Sequence, residues 1–219
     1  MVRHLPVRGT VYIPKPFLVE DRKVIVAFMQ QFDFAAVVSH SDTGFVASHV
    51  PVLIREVGSE LQIVGHVARG NSHWRLMDRQ TESMVIFQGP HAYVSPTWYA
   101  VSPAVPTWNY AVVHAYGRPA VVQDKDWLRR HVTELTTQQE ASEAQPWAVS
   151  DAPENYVDVM LRGIVGFRFA ITRLEGKWKM SQNREMPDRQ GVVAGLTARA
   201  SGDDLAIAEA VARATGPDR

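Results

Sequence analysis

The sequence has no cysteine among its 219 residues. Disulfides, thiolate nucleophiles, iron–sulfur clusters and cysteine-ligated zinc sites are therefore excluded, which fits a reducing compartment. An excess of either charge is also lacking, because 23 basic residues balance 23 acidic ones. Proteins that bind DNA phosphates usually concentrate uncompensated Lys and Arg. DNA is therefore a possible partner that the charge balance does not support.

Long apolar runs are missing as well. No stretch approaches the roughly 18 apolar residues of a membrane span, and the start of the chain lacks the apolar run of a secretion signal. We therefore expect a cytoplasmic protein with no membrane partner. With 46% hydrophobic and 21% charged residues, the composition is that of an ordinary globular protein, and 219 residues favour a single domain.

Short catalytic motifs are absent too. The sequence has no Gly-x-Ser-x-Gly nucleophile elbow, no Walker loop and no Gly-x-Gly-x-x-Gly fingerprint. Its eight histidines, at positions 4, 40, 49, 66, 73, 91, 114 and 131, include no His-Glu-x-x-His and no pair four apart on a helix. We therefore assign no metal site and leave the catalytic residues unknown.

Hydrophobic periodicity predicts a mainly β protein with peripheral helices. Helices are expected over 20–32, from Asp124 or Asp126 to Glu140, over 154–161, and after a cap at Ser201 or Asp203. Strands are expected over 34–39, 45–55, 61–68, 83–88, 110–116, 120–123 and 163–174, with another after Gly176. This short spacing is typical of an antiparallel barrel or sandwich.

The first of three chemically dense segments is Gly65-His-Val-Ala-Arg-Gly-Asn71, at the end of a predicted strand. A strand that ends in Gly and Asn before a helix offers free backbone N–H groups, and Arg69 adds a bidentate donor. The segment therefore suits a phosphate. A capped strand-to-helix turn with a solvated arginine explains it equally well.

The second segment nearly repeats itself, as Ser-Pro-Thr-Trp-Tyr ending at Tyr99 and Val-Pro-Thr-Trp-Asn-Tyr ending at Tyr110. Proline keeps both copies out of a helix, while Trp98 and Trp108 offer flat, stiff apolar surface. Such surface suits an aromatic ligand or a subunit interface. The alternative is two stiff loops that pack their own tryptophans into the core.

The third segment is Lys177-Trp-Lys-Met-Ser-Gln-Asn-Arg184. Strand alternation puts Lys179 and Ser181 on one face, with Trp178, Met180 and Gln182 on the other. The cationic face is able to meet an anion. An exposed edge strand guarded by lysine is the other explanation.

Taken in order, these segments resemble one family. The resemblance is to the PaiB family, over roughly residues 12–196, and its members are commonly described as FMN-binding negative transcriptional regulators. It is carried by Tyr12-x-Pro-x-x-Phe, His49-Val-Pro, Gly65-His-Val-Ala-Arg-Gly-Asn, Phe87-x-Gly-Pro-x-Ala-Tyr-x-Ser-Pro-x-Trp-Tyr, Val105-Pro-Thr-Trp-Asn-Tyr and Lys179-Met-Ser-Gln-Asn-Arg.

The resemblance implies an FMN-binding split β-barrel similar to pyridoxamine 5'-phosphate oxidase, which forms a homodimer with FMN in clefts at the interface. Residues 1–219 would form one split-barrel domain, with an N-terminal extension at 1–11 and a C-terminal helical segment at 187–219. The cofactor-binding residues it implies are Val52 and Leu53 against the flavin, His66, Arg69 and Asn71 near its phosphate, Trp98 and Trp108 along the cleft, and Lys179, Ser181, Gln182 and Asn183 from the second subunit.

Three functions remain open at this point. The family resemblance implies a negative transcriptional regulator, which would act indirectly or through a dimer-built DNA surface, because no basic helix-turn-helix is visible. A flavin-dependent oxidoreductase using NAD(P)H is the main alternative, because FMN itself carries the hydride chemistry. A haem-binding split-barrel protein is the third possibility.

Overall fold

The computed structural model describes residues 11–58, 60–79 and 81–214. Within these ranges it has seven strands, six α-helices and 3₁₀ turns at Lys15–Phe17, Pro96–Trp98 and Val149–Asp151. The strands are β1 Leu18–Val19, β2 Phe34–Ser41, β3 Gly44–Val57, β4 Glu60–Ala68, β5 Ser83–Val94, β6 Thr107–Val122 and β7 Ile164–Lys179. The helices are α1 Arg22–Gln31, α2 Trp74–Met77, α3 Lys125–Glu140, α4 Glu154–Arg162, α5 Met186–Arg199 and α6 Asp204–Arg213.

The strands form one mainly antiparallel sheet in the order β1-β7-β4-β3-β2-β5-β6. Because β6 also pairs with β7, the strand order closes on itself. The β2–β3 and β3–β4 hairpins fix the register, with Ala36 opposite His49 and Leu53 opposite Val64. The expected fold class, a mainly β split barrel with peripheral helices, is confirmed.

Three strands differ clearly from the sequence prediction, and one of them is β5, which extends to Val94 where an end at Gln88 is predicted. The strands expected on either side of Gly117 are one strand, β6, and the strand expected after Gly176 is the end of β7. A Cβ at Gly117 would lie 2.0 Å from the carbonyl oxygen of Ala170. This glycine therefore permits a close backbone approach between strands and does not mark a turn.

Contacts divide the chain into two compact units. The first comprises residues 1–25, 88–113 and 175–219, and the second comprises 26–87 and 114–174. The single domain expected from the sequence stays a prediction. The expected N-terminal extension lies outside the described residues except for Val11, and the expected C-terminal helical segment contains α5 and α6.

In the second unit, α3 and α4 cover one face of the sheet. Asp124 begins α3, because its carboxylate accepts a hydrogen bond from the backbone N–H of Trp127 at 2.7 Å. Leu53 and Val64, which are cross-strand partners, face these helices. The resulting apolar cluster consists of Leu53, Val64, Trp127, Leu128, Leu135, Val157 and Leu161.

In the first unit, the first copy of the tryptophan repeat packs against α5. Gly191 and Gly195 lie one helical turn apart and leave room for Trp98. A Cβ at Gly195 would be 2.2 Å from the indole, and the guanidinium carbon of Arg199 lies 5.0 Å from the ring centroid. Trp98 therefore has a fitted packing partner within its own chain.

Replacing Gly195 with alanine should destabilise the protein, although alanine is the better helix former by about 1 kcal/mol. The new Cβ would overlap the Trp98 indole, and overpacking of this kind costs about 1–3 kcal/mol. Urea unfolding measures the change. Gly70→Ala is the control, because a Cβ at Gly70 meets nothing within 4 Å. Equal stabilities of the two variants would contradict this packing account.

Candidate functional site

The residues predicted to bind the cofactor are divided between the two units. Val52, Leu53, His66, Arg69 and Asn71 belong to the second unit. The first unit contains the two tryptophans and the segment from Lys179 to Asn183.

Val52 and Leu53 are both buried, on opposite faces of β3. Leu53 packs into the cluster under α3 and α4, whereas Val52 lies next to Gly65 of the neighbouring strand. Their side chains are covered by their own unit. A flavin beside β3 would therefore meet the main chain or the exposed neighbours of these two residues.

His66 pairs with a second histidine on α3. Its Nδ1 lies 3.1 Å from Nε2 of His131, whose ring stacks on Trp127 with the centroids 5.2 Å apart. Burial lowers the pKa of His66. Burial, together with repulsion from His66 and Arg55, lowers the pKa of His131 to about 3. Both rings are therefore neutral at physiological pH and supply no positive charge to a phosphate.

Arg69 holds the connection between α4 and β7. Its Nε donates to the carbonyl of Arg162 at 2.7 Å, and its Nη2 donates to the carbonyl of Ile164 at 3.0 Å. Its Nη1 donates to Oε1 of Gln123 at 2.9 Å. Three of the five guanidinium N–H groups are thus engaged within the chain. The role of Arg69 as a phosphate ligand stays a prediction.

Asn71 builds a polar network in the turn before α2. Its Nδ2 donates to Oγ of Ser48 at 2.9 Å, and its Oδ1 accepts from the backbone N–H of His73 at 3.0 Å. The Ser48 hydroxyl also lies 2.9 Å from Nδ1 of His73. Among the described residues, Nε2 of the buried His73 has no hydrogen-bond partner. The side chain of Asn71 is thus used to shape the turn.

An open depression of about 440 Å³ lies beside this turn. Arg75 and Arg79 bring positive charge to it, and neither forms an ion pair with a carboxylate in the described part of the chain. The one carboxylate in the lining is Asp42, and Ser41, Thr43 and Ser72 supply hydroxyl groups. Guanidinium and hydroxyl donors are the groups that a phosphate requires. The complete lining is Ser41, Asp42, Thr43, Val46, Ser72, His73, Arg75, Leu76 and Arg79.

In the first unit, cationic side chains gather where β7 ends. Lys177 is only 8% exposed, and its Nζ donates to the carbonyl of Tyr12 at 2.9 Å and lies 5.2 Å from the ring centroid of Tyr110. The Nζ of Lys179 donates to the carbonyl of Trp108 at 2.8 Å. Burial lowers the pKa of Lys179, and the charges of Lys177 and Arg184 lower it further.

A tight turn follows Lys179. Ser181 is buried with φ at 59°, and its Oγ accepts from Nδ2 of Asn109 at 2.9 Å. Gln182 closes the turn, because its Oε1 accepts from Met180 N at 2.6 Å and its Nε2 donates to Trp178 O at 2.7 Å. Strand alternation beyond Lys179, as predicted from the sequence, is therefore wrong. Asn183 is exposed.

Trp108, from the second copy of the repeat, has a different environment from Trp98. It is 52% exposed and lies beside two other aromatic rings, with centroids 6.1 Å away at His91 and 5.9 Å away at Tyr93. The two copies thus differ, because Trp98 packs on a helix whereas Trp108 offers exposed aromatic surface.

Residues 11–58, 60–79 and 81–214 contain neither a metal-binding cluster nor a membrane-spanning helix. Within these ranges, no three His, Asp or Glu side chains come together in an arrangement that could hold a metal ion. The helices of the same ranges are all too short or too polar to cross a bilayer.

Acid should destabilise the protein through the His66–His131 pair. The pKa of His131 falls from 6.5 to about 3 on folding, so the unfolded chain binds the proton more tightly. The stabilisation is complete above pH 6.5 and declines as the pH falls toward 3, by up to about 1.4 kcal/mol per pH unit.

Urea unfolding measures this slope between about pH 7.5 and 4.5. Over this range of about three pH units, His131 gains its proton in the unfolded chain but not in the folded one. His131→Gln should flatten it, and His91→Gln should leave it in place because His91 is exposed and outside the pair. An unchanged slope in His131→Gln would show that other groups cause the acid sensitivity.

Comparisons with known proteins agree with this fold and its cofactor chemistry. A family model described as "Putative FMN-binding domain" matches residues 11–173. The chain is 35% identical over 185 residues to the Bacillus subtilis (strain 168) protein "Protease synthase and sporulation protein PAI 2", covering 84% of this chain and 88% of that protein.

Two solved structures share the fold. The FAD- and haem-binding protein from Mycobacterium smegmatis has a TM-score of 0.53 at 17% identity, with 74% of this chain and 73% of that chain covered. The flavocytochrome Anf3 from Azotobacter vinelandii has a TM-score of 0.54 at 12% identity, with 74% and 69% covered.

The family match and the donor groups of the second unit point to the same cofactor. The depression beside α2 offers guanidinium and hydroxyl groups of the kind that hold a phosphate, so the residues present fit FMN. The match extends over most of the chain, and the relative from B. subtilis is similar over most of both sequences. This protein therefore belongs to the PaiB-type family of FMN-binding split β-barrels, whose cofactor is FMN.

Proposed function

We propose that this protein acts as a homodimeric flavoprotein that represses transcription, with the phosphate of FMN bound in the depression beside α2. The observation that carries the proposal is the pair Arg75 and Arg79, two exposed guanidinium groups in one depression without carboxylate ion pairs in the described part of the chain. FMN, when bound, supplies reversible electron and hydride transfer. The chain supplies binding and orientation.

The charge of the depression favours a phosphate. Arg75 and Arg79 outweigh the single carboxylate of Asp42, and the hydroxyl of Ser72 comes from the turn that Asn71 shapes. Charge-assisted hydrogen bonds from guanidinium groups to phosphate are among the stronger polar contacts in proteins. In this arrangement Arg69 supports the turn from behind through its bonds to the α4–β7 connection.

Arg75→Ala should weaken FMN binding by about 1–3 kcal/mol, because a charge-assisted phosphate contact is lost. Its stability should change little, since Arg75 is exposed. Arg69→Ala should instead lower the free energy of unfolding, because it leaves two carbonyl groups and Gln123 without their donor. FMN fluorescence titration and urea unfolding measure the two effects separately.

Arg213→Ala controls for the loss of one positive charge, since Arg213 is exposed on α6. Unchanged FMN affinity in Arg75→Ala would contradict the assignment of the phosphate to this depression. Lost affinity with unchanged stability in Arg69→Ala would transfer the phosphate contact to Arg69.

A largely apolar face on β2, β3 and β5 supports the homodimer. Phe34 and Phe45 are 66% and 78% exposed, although large apolar side chains normally gain free energy by burial. A contiguous exposed apolar surface of this kind is typical of a protein interface. The face consists of Phe34 and Pro51, then Ala36, His49 and Ile86, then Val38, Ala47 and Met84, then His40 and Phe45, in paired rows.

Phe45→Glu should dissociate the dimer, because the carboxylate would be buried without a partner at the interface. We expect the dissociation constant to rise by at least about tenfold, measured by analytical ultracentrifugation. Val57→Glu is the matched control, because Val57 is also exposed but lies at the far end of β3. A monomeric wild type, or a Phe45→Glu variant that remains dimeric, would contradict this surface.

The regulatory role rests on the family and on its relatives. Members of the PaiB family are described as negative transcriptional regulators, and the B. subtilis relative is named a sporulation protein. The α5–α6 pair is a poor DNA reader, because Arg199 pairs with Asp204 and Arg213 pairs with Glu209. The proposal therefore assigns DNA binding to a surface built by the dimer, or else an indirect route.

A flavin-dependent oxidoreductase is the second candidate. It is favoured by the lack of an uncompensated basic helix pair among α5 and α6, and by two structural neighbours whose names describe a flavin and haem protein and a flavocytochrome. A haem function has less support, because His66 and His131 bond to each other and His73 bonds to Ser48.

Retention of DNA and reduction of the flavin discriminate between the two candidates. The FMN-loaded protein should retain fragments from a genomic pool at low salt, and the retention should weaken as salt rises. No retained fragment, together with bleaching of the flavin absorbance by NADH or NADPH, would replace the regulator with the oxidoreductase. Retained DNA with flavin unaffected by both donors would support the regulator.

A further inference from the structure

The end of β7 carries positive charge that the surrounding residues do not neutralise. The cationic cluster consists of Lys177, Lys179 and Arg184. Among the described residues, the cluster has one ion pair, in which Nη1 of Arg184 lies 3.5 Å from Oδ2 of Asp188. Neither lysine has a carboxylate partner among the same residues. In the described part of the chain, three cations therefore share one carboxylate ion pair.

The carboxylate of Asp188 is largely committed elsewhere. Its Oδ1 accepts from the backbone N–H groups of Ala100 at 2.9 Å and Val101 at 3.3 Å. Arg184 meets the other oxygen only at the long distance of 3.5 Å, and its guanidinium carbon lies 4.2 Å from the ring centroid of Tyr99. The Arg184 guanidinium therefore lies over an aromatic ring, with several N–H groups available for a further partner.

Neutral groups solvate the two lysines but leave their charges uncancelled. Lys177 meets a carbonyl and the face of Tyr110, and Lys179 meets the Trp108 carbonyl and the Thr107 hydroxyl. A buried cation without a counter-charge is costly. Burial lowers the pKa of Lys179, and the charges of Lys177 and Arg184 lower it further.

A strained turn holds two of the cations in place. Ser181 has a left-handed backbone, with φ at 59°, that residues other than glycine rarely adopt. Its Oγ is bonded to the fully buried Asn109, and its carbonyl accepts from Arg184 N at 3.0 Å. Backbone strain of this kind concentrates at ligand clamps. The turn places Lys179 and Arg184 at its two ends.

We propose that Lys177, Lys179 and Arg184 form a binding site for a small anion with a carboxylate or phosphate group attached to an aromatic ring, separate from the phosphate of FMN. The cations neutralise the anionic group. Trp108, which is 52% exposed and shares its carbonyl with Lys179, offers a face for the ring. The site uses none of the residues that line the depression beside α2.

Thermal unfolding of the FMN-loaded protein tests this site, with benzoate and inorganic phosphate as probes against chloride at constant ionic strength. A ligand that binds only the folded state raises the midpoint as its concentration increases. Lys179→Met should weaken the apparent affinity for benzoate by at least about tenfold, because a charge-assisted contact is lost. Lys125→Met is the charge-matched control, since the Lys125 ammonium pairs with Asp158 on the surface.

Flavin absorbance of the same samples separates the two ligands. The site is supported if Lys179→Met retains FMN but benzoate no longer raises its unfolding midpoint. Loss of FMN in this variant would assign the cluster to the flavin and overturn the proposal. An equal benzoate effect in wild type, Lys179→Met and Lys125→Met would mean an adventitious ion only. Arg184→Gln, at a partly exposed position, gives the same decision in the event that Lys179→Met does not fold.

Discussion

The antiparallel pairing of β4 with β7 is the constraint on which the second unit depends. Seven residue pairs join strands roughly a hundred residues apart, from Gln62 opposite Ala170 to Ala68 opposite Ile164. Contacts at such separation carry a large loop-closure entropy. Arg69 offsets part of this entropy cost. Its side chain bonds the carbonyls on either side of Gly163, where the β4–β7 ladder ends. The helices α3 and α4, which precede β7, are then held over the sheet.

The buried histidines of the second unit bond to neighbouring polar residues through one ring nitrogen each. His66 and His131 share a hydrogen bond and remain neutral, and Asn71, Ser48 and His73 form a second group, while Nδ1 of His131 and Nε2 of His73 have no partner among the described residues. Polar groups that a fold buries must be paired, and paired groups have little capacity left for a ligand. The groups that remain available lie at the rim, where Arg75 and Arg79 keep their charges in contact with water.

The fold followed from the sequence more completely than the site. The strands predicted at 34–39 and 45–55, the cap predicted at Asp124 or Asp126 and the periodicity of α3 are local signals, and local interactions determine all three. The sequence does not predict that the Arg69 guanidinium bonds within the chain, because its acceptors at Arg162 and Ile164 come from a distant part of the chain. The sequence does contain a signal for Arg75 and Arg79, because the two arginines are four residues apart and follow closely the segment predicted to bind phosphate.

The doubled Pro-Thr-Trp shows why a local repeat does not fix a common role. Proline stiffens both copies, yet Trp98 meets two glycines of α5, whereas Trp108 begins a strand beside Tyr93 and His91. What differs is the partner, which lies about 90 residues away for Trp98. Internal packing therefore describes Trp98, and exposed aromatic surface describes Trp108.

A net charge of zero conceals a marked separation of charge within this chain. Charged side chains on α3 and α4 pair with nearby opposite charges, as Lys125 and Arg129 do with Asp158. Lys177 and Lys179, like Arg75 and Arg79, have no carboxylate ion pair among the described residues. A polyanion such as DNA needs many cations along an extended surface, but a single phosphate or carboxylate needs two or three in one place. Local concentrations of charge in an otherwise neutral protein therefore fit small anionic ligands, whereas contact with DNA would require cations from both copies of a dimer.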